Sequence, residues 1–442
     1  MFEKIKSFLL DNRSPSQTIA KNTIWLFSGQ AVSRLLRAML VIYAARILGA
    51  ASWGAFSYAL GITTFLTVLS DIGIGALITK EAARAPERKT EYLATAFFIK
   101  ITLVALLGGG SLLLFPQLSR IPEATALLPI LVFAFAFDAL RELGASIARA
   151  LERMEVEAII QAATNAAIVG LGLLLLSAGG GGRALALAYA AGSGFGLAAI
   201  LFALRGHIRN LLNNFKKELI RPIIRTAWPF GLLGLLGIIM LNTDIIMLGW
   251  LKNAKEVGLY AAAQKIIQLL YVLPALFSVS VFPALARAVN SNRESARRIL
   301  EQTVALALTA AAPIALLGFT LGGRIIPFLF GAEYLGAATA FRILSLTVLI
   351  VYPAGVIGNA IFAYDATRHL AIFVGAAAVS NVVFNLLLIP RYGIEGAALA
   401  TILAELVSNA ILWRKIKQVS GFKPFSAFRT FANFPKTKEP RF

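Results

Sequence analysis

Arg34 and Arg37 lie three residues apart in the apolar stretch NTIWLFSGQAVSRLLRAMLVIYAARIL, residues 22–48. That spacing puts both side chains on one face of a helix. Gln30 precedes Arg34 by four residues and Val41 follows Arg37 by four, so the face is polar in its first half and apolar beyond. A charged side chain at mid-bilayer costs about 2.5 kcal/mol or more and is rarely left facing lipid. Two fixed positive charges in such a place either bind an anion or pair with acids from other helices.

Other ionisable residues share this setting. The bases are Lys100, Arg141, Lys265 and Arg342; the acids are Asp71, Asp138, Glu142, Asp244 and Glu405. All must face a bundle interior or a watery cavity. Arg34, Arg37 and Lys100 run from mid-membrane toward the cytoplasmic side, and Lys265 and Arg342 lie in the outer part of the second half. Such a basic track suits an anionic headgroup passed across the membrane. For Arg34 and Arg37 the competing expectation is structural pairing with Asp71 or Asp138. For Arg141 and Glu142, nearer a helix end, it is snorkelling to water. Asp71 precedes Gly73 and Gly75 in SDIGIG. Glycine weakens a helix, and freed backbone beside a carboxylate can form an ion or proton site. Asp71, Asp138, Asp244 and Glu405 are therefore ion-coupling candidates, with inter-helix ion pairs as the plainer reading.

The composition narrows the rest. There is no cysteine, and the two histidines, His207 and His369, fall in expected cytoplasmic loops. Disulfide frameworks, Cys-ligated zinc and iron–sulfur clusters are excluded. No P-loop is present, so ATP hydrolysis within the chain is not expected. The sequence points to no enzyme, no metal site and no cofactor. The glycine runs GGGGR (179–183) and GSGFG (192–196) read as an external loop and as close helix packing, and Gly231, Gly234 and Gly237 as a packing or bending face.

Of 442 residues, 58% are hydrophobic and 14% charged, with mean hydropathy +0.77. This is the composition of a polytopic membrane protein. About 20 apolar residues cross the hydrocarbon as a helix. Twelve such spans are expected, near 22–48, 53–79, 92–115, 123–148, 155–178, 183–205, 226–250, 256–284, 298–320, 332–363, 369–390 and 393–416. Pro313, Gly322, Gly323 and Pro327 make the ninth and tenth the least regular. The net charge of +20 is concentrated in alternate loops, as membrane topology requires, rather than in a nucleic-acid patch. Lysines and arginines gather in the N-terminal segment, the 80–89 loop, the 205–225 linker, the 287–298 loop and the C-terminal tail, which puts both termini in the cytoplasm. The N-terminus reads as an amphipathic basic segment rather than a cleavable signal.

The two halves look alike. WGAFSYALGI (53–62) resembles VGLYAAAQKI (257–266), and RALALAYAAG (183–192) resembles EGAALATILA (395–404). With six spans per half the repeats are parallel. The expected fold is an all-α polytopic membrane protein: about twelve transmembrane helices in two parallel-repeat six-helix lobes around a central cavity. Its parts are a cytoplasmic segment 1–21, an N-lobe 22–205, a basic linker 206–225, a C-lobe 226–418 and a basic tail 419–442.

LGAASWGAFSYALGITTFLTVLSDIGIGALITKEAAR (48–84) resembles the first-lobe signature of polysaccharide-biosynthesis flippases. These belong to the multidrug/oligosaccharidyl-lipid/polysaccharide exporter superfamily. NTDIIMLGWLKNAKEVGLYAAAQKI (242–266), LPALFSVSVFPALAR (273–287) and IPRYGIEGAALATILAE (389–405) resemble its second-lobe signatures. The resemblance implies alternating inward- and outward-facing states and a saccharide linked to a polyprenyl phosphate or diphosphate as substrate. It implies that cavity arginines hold the phosphates, at the positions of Arg34 and Arg37. It also implies the plasma membrane of a prokaryote, with glycan polymerase or glycosyltransferases as partners and H+ or Na+ as coupling ion. Two rivals stand beside it: a cation-coupled multidrug extrusion antiporter of the same superfamily, and a non-transporting scaffold for glycan assembly. Six bases against five acids within the spans favour an anionic cargo over an organic cation.

Overall fold

A chain this apolar has one economical way to cross lipid: each helix satisfies its own backbone hydrogen bonds. The computed structural model describes residues 15–84, 89–208, 214–364 and 370–422, and among them there is no strand. The first fourteen residues, His369 and most of the C-terminal tail lie outside the described residues.

The helices are α1 (Pro15–Asp71), α2 (Ile74–Arg84), α3 (Lys89–Leu118), α4 (Pro122–Ala150), α5 (Met154–Ser177), α6 (Gly182–Ala203) and the short α7 (Arg205–Ile208). They continue with α8 (Ile220–Leu251), α9 (Ala254–Leu270), α10 (Val272–Ser291), α11 (Arg293–Phe330), α12 (Ala338–Ser345), α13 (Val348–Ala363) and α14 (Leu370–Ser420).

Among the described residues eight helices are long and apolar enough to cross a membrane, and the bent pair formed around α12 and α13 makes a ninth, with a bend of 41°. Two of the eight, α1 and α14, are each long enough to cross twice. Each turns at one glycine: Gly49 at φ 71 in α1 and Gly393 at φ 55 in α14. Only glycine takes such angles without a steric penalty. The stretch expected as the eighth span is made of two shorter helices, α9 and α10, which meet at Tyr271.

One expectation was off in detail. Pro313, Gly322, Gly323 and Pro327 do not break the chain: α11 runs through all four and stops at Gly331, where φ is 99. Within apolar surroundings neighbouring helices re-satisfy the backbone groups that proline frees, so such residues are tolerated. The bend falls later, between α12 and α13.

Contacts divide the chain into Met1–Gly258 and Leu259–Phe442. In the first unit Ile74, Leu93, Ile99, Leu143, Ile147, Ile200 and Ile223 form one core cluster, joining α2, α3, α4, α6 and α8. Helices without a hydrophobic drive between them associate by close van der Waals packing. Small residues permit it here: Gly192 lies against the backbone of Ile168, and Gly196 against Thr164 and Arg141. The seventh span, expected to open the second lobe, packs with the first unit: Gly231 of α8 meets the backbone of Ile72, and Gly249 meets the Tyr58 ring. Gly234 lies near Val68, whereas Gly237 has nothing within 4 Å and is no packing residue. In the second unit Leu300, Val304, Val348, Tyr352, Ile357, Leu412 and Ile416 form the core that joins α11, α13 and α14. Tyr352 donates from its hydroxyl to the Leu270 carbonyl at 2.9 Å, which closes the α9 end onto α13.

Candidate functional site

The first limb of α1 shows three faces. Ser33, Leu40 and Ala44 are buried. Val32, Leu35 and Met39 are exposed and apolar. Gln30, Arg34 and Arg37 are exposed and polar. Successive residues turn about 100°, so the arginine face points away from Val32, Leu35 and Met39. The apolar face is the one that suits lipid; the basic face is a separate surface.

Among the described residues neither arginine meets an acid. Arg34 has no hydrogen-bond or ion-pair partner among the described residues. Arg37 donates from Nε to Oδ1 of Asn165 on α5. Asn165 is fully buried and gives its own Nδ2 to the Gln161 carbonyl at 2.7 Å, so its oxygen is fixed. Arg37 is thus oriented through Nε, and among the described residues its two terminal nitrogens meet no hydrogen-bond partner. A guanidinium held this way presents a planar fork to two oxygens of a phosphate or carboxylate.

The acids expected as alternative partners are engaged elsewhere. Asp71 takes Lys100 at 3.2 Å, and Asp138 takes Arg141 at 3.2 Å and the Ser193 hydroxyl at 3.1 Å. Lys100 is 1% exposed, so in this conformation it is a buried base paired with a partly exposed acid. Arg141 does not snorkel: it is buried and also donates to Gln161 at 2.7 Å. Glu142 and Glu157 share Arg149, which also donates to the Ser146 hydroxyl. Such pairs satisfy charges that lipid would not tolerate; they contribute order more surely than stability.

The second unit holds the rest. Lys265 donates to Gln268 at 3.2 Å. Arg342 lies over the Gly322–Gly323 step of α11, and its Nε is buried without a hydrogen-bond partner among the described residues. Asp244, in the first unit, is fully buried. Glu405 is 7% exposed, receives Nδ2 of Asn409 at 3.3 Å, and has no basic side chain within 4 Å among the described residues.

Gln161, Asn165 and Asn409 were not singled out by sequence reasoning. The signal was present: an amide four residues after another amide or a carboxylate in an apolar span, as in Gln161–Asn165, Asn381–Asn385 and Glu405–Asn409. No group of three or more metal-ligating acids, histidines or cysteines occurs among the described residues.

A bundle of long apolar helices with no strand among the described residues is the architecture of a multi-pass membrane protein. Comparison with known proteins makes the class specific. The polysaccharide biosynthesis protein family matches residues 19–289, and the MatE family matches residues 229–387. The chain belongs to the polysaccharide biosynthesis protein family. It is 32% identical over 193 residues to the "Probable flippase AglR" of Haloferax volcanii, a match that spans 42% of this chain and 40% of that protein. It is 22% identical to that organism's "Probable low-salt glycan biosynthesis flippase Agl15", over 89% of this chain and 82% of the relative. Among solved structures, the lipid II flippase MurJ in an inward closed conformation matches with TM-score 0.75 and 16% identity, over 94% of both chains. That likeness establishes the fold.

Proposed function

We propose that this protein is a flippase that moves a polyprenyl-phosphate- or diphosphate-linked oligosaccharide from the cytoplasmic to the outer leaflet by alternating access. The observation that carries the reading is the Arg34–Arg37 face: two exposed guanidiniums in an apolar span, one oriented by Asn165, neither meeting a carboxylate. Family membership supports a glycan cargo. The protein makes and breaks no bond in this scheme. The headgroup enters from the cytoplasmic leaflet and meets Arg34 and Arg37, while the polyprenyl chain stays in lipid. Lys265 and Arg342 serve the outer half of the route. Arg342, with an unpaired Nε, has the free donor such a role needs.

Coupling to H+ or Na+ would use Glu405, which meets no basic side chain among the described residues, whereas Asp71 and Asp138 hold Lys100 and Arg141. The setting is the plasma membrane of a prokaryote with both termini cytoplasmic, beside the enzymes that assemble and polymerise the glycan. An organic-cation antiporter would want acids where Arg34 and Arg37 stand.

The test is translocation of a fluorescent or radiolabelled lipid-linked oligosaccharide in proteoliposomes. Each hydrogen bond to a charged group contributes about 1.5–3 kcal/mol. Losing two should weaken headgroup binding by about a hundredfold to ten-thousandfold. Arg34→Ala/Arg37→Ala should therefore lose nearly all transport at subsaturating substrate. Undiminished transport at normal protein levels would sink the headgroup role.

A further inference from the structure

We propose that the Lys100–Asp71 pair and the strained Ile72–Gly73 turn beside it form a latch that holds this end of α1 shut against α8. The inference deepens the transport reading, since it names the contact that must give way for the membrane side near Asp71 to open.

The latch is built from four observations. Asp71 is the last residue of α1, and its Oδ1 receives both Lys100 Nζ at 3.2 Å and Gly75 N at 3.4 Å. One carboxylate therefore ties α3 to the first turn of α2 across the break. Next, the break is strained. Ile72 sits at φ 39 and Gly73 at φ 82. A β-branched residue in the left-handed region is an outlier that persists only where its surroundings enforce it.

The enforcement is the third observation. Gly73 faces the Ala227 carbonyl and Gly231 faces the Ile72 backbone, each so closely that a Cβ on either glycine would collide. The turn meets α8 backbone to backbone. Finally, the same corner is connected onward. Gly75 stands against the Ser146 hydroxyl, where a Cβ would come within 2.8 Å, and Ser146 accepts from Arg149, which also holds Glu142 and Glu157.

Lys100 is 1% exposed while the Asp71 side chain is 34% exposed. The acid is partly exposed and the base is not. Separating α1 from α8 at this end moves the turn, and the turn is fixed to Lys100 through Asp71. The ion pair thus resists opening, and Asp71 is the partner at which it is released.

The chain contains no cysteine, so single reporters can be placed without background. Val68→Cys lies on the seam, where it faces Gly234 of α8, and Tyr58→Cys lies toward the other end, against Gly249. Labelling by a membrane-impermeant maleimide is followed in inside-out vesicles. Asp71→Asn and Lys100→Met should each raise the labelling rate of the Val68→Cys reporter several-fold and leave the Tyr58→Cys reporter unchanged. The exchange Asp71→Lys/Lys100→Asp should bring the rate back toward that of the parent. Gly231→Leu, which wedges the seam and touches neither charge, should raise it as the single neutralisations do.

Parent-like labelling in Asp71→Asn, at parent amounts and melting temperature, overturns the latch. Equal increases at both reporters overturn it too, because they signal general loosening. Where Lys100→Met lowers the yield, the isosteric Asp71→Asn carries the test. No glycan substrate is used, so a failure to detect flipping overturns the transport reading and leaves this result standing.

Discussion

Arg37 owes its orientation to one neutral oxygen. Asn165 accepts from Nε and is itself pinned to the Gln161 carbonyl. A neutral partner holds the guanidinium without quenching its charge, which a carboxylate would do. Asn165→Leu should therefore raise the apparent KM for a lipid-linked substrate while changing kcat less, because the fork is still charged but no longer aimed. Arg37→Lys should do worse than its conserved charge suggests, since an ammonium cannot offer two parallel donors. Equal transport by Arg37→Lys and the parent would argue that only charge matters at this position. The residue types of this site were legible in the sequence, and their partners were not. Which acid meets which base depends on helix rotation and depth, which an apolar span barely records. Asp71 and Lys100 are 29 residues apart on different helices, and their pairing emerges only when α1 and α3 are packed.

At the scale of helices, the spans were readable because about 20 consecutive apolar residues have few alternatives to a membrane helix. Their joints were harder to place. Gly49 and Gly393 turn α1 and α14 without a loop, and only a few polar neighbours, Arg46 at the first and Arg391 and Glu395 at the second, mark those joints in the sequence. Pro313 and Pro327 advertise a break that α11 does not make. Glycines divide in the same way, since only their neighbours tell a packing role from an incidental one. Gly192 sits on the Ile168 backbone, where a Cβ would lie 2.8 Å from the amide nitrogen, whereas Gly170 has nothing within 4 Å. Gly192→Ala should overpack the α5–α6 contact, which costs about 1–3 kcal/mol, and lower the melting temperature in detergent. Gly170→Ala should hold or raise it, because alanine is favoured over glycine inside a helix by about 1 kcal/mol. The reverse order would mean that the close α5–α6 packing is not what holds this part of the bundle.

For the whole molecule the decisive quantity is the placement of positive charge. Lysines and arginines near short loops set orientation because they resist transfer across the membrane. The 205–225 segment carries Arg205, Arg209, Lys216, Lys217, Arg221 and Arg225, whereas the turn at 178–182 carries none. That asymmetry predicts Gly206 in the cytoplasm and Gly181 outside, one crossing apart along α6. Both glycines are exposed, and neither has an atom within 4 Å of the place a Cβ would occupy, so cysteine fits at either. In intact cells a membrane-impermeant maleimide should label Gly181→Cys and spare Gly206→Cys, and inside-out vesicles should reverse the pattern. Swapping the two outcomes would invert the molecule. The basic segment would then face outward, and the headgroup would enter from the wrong leaflet for a flippase that exports a glycan assembled in the cytoplasm. Replacing the six basic residues of 205–225 with glutamine tests the cause directly: if they set the orientation, part of the Gly206→Cys population should become reactive from outside.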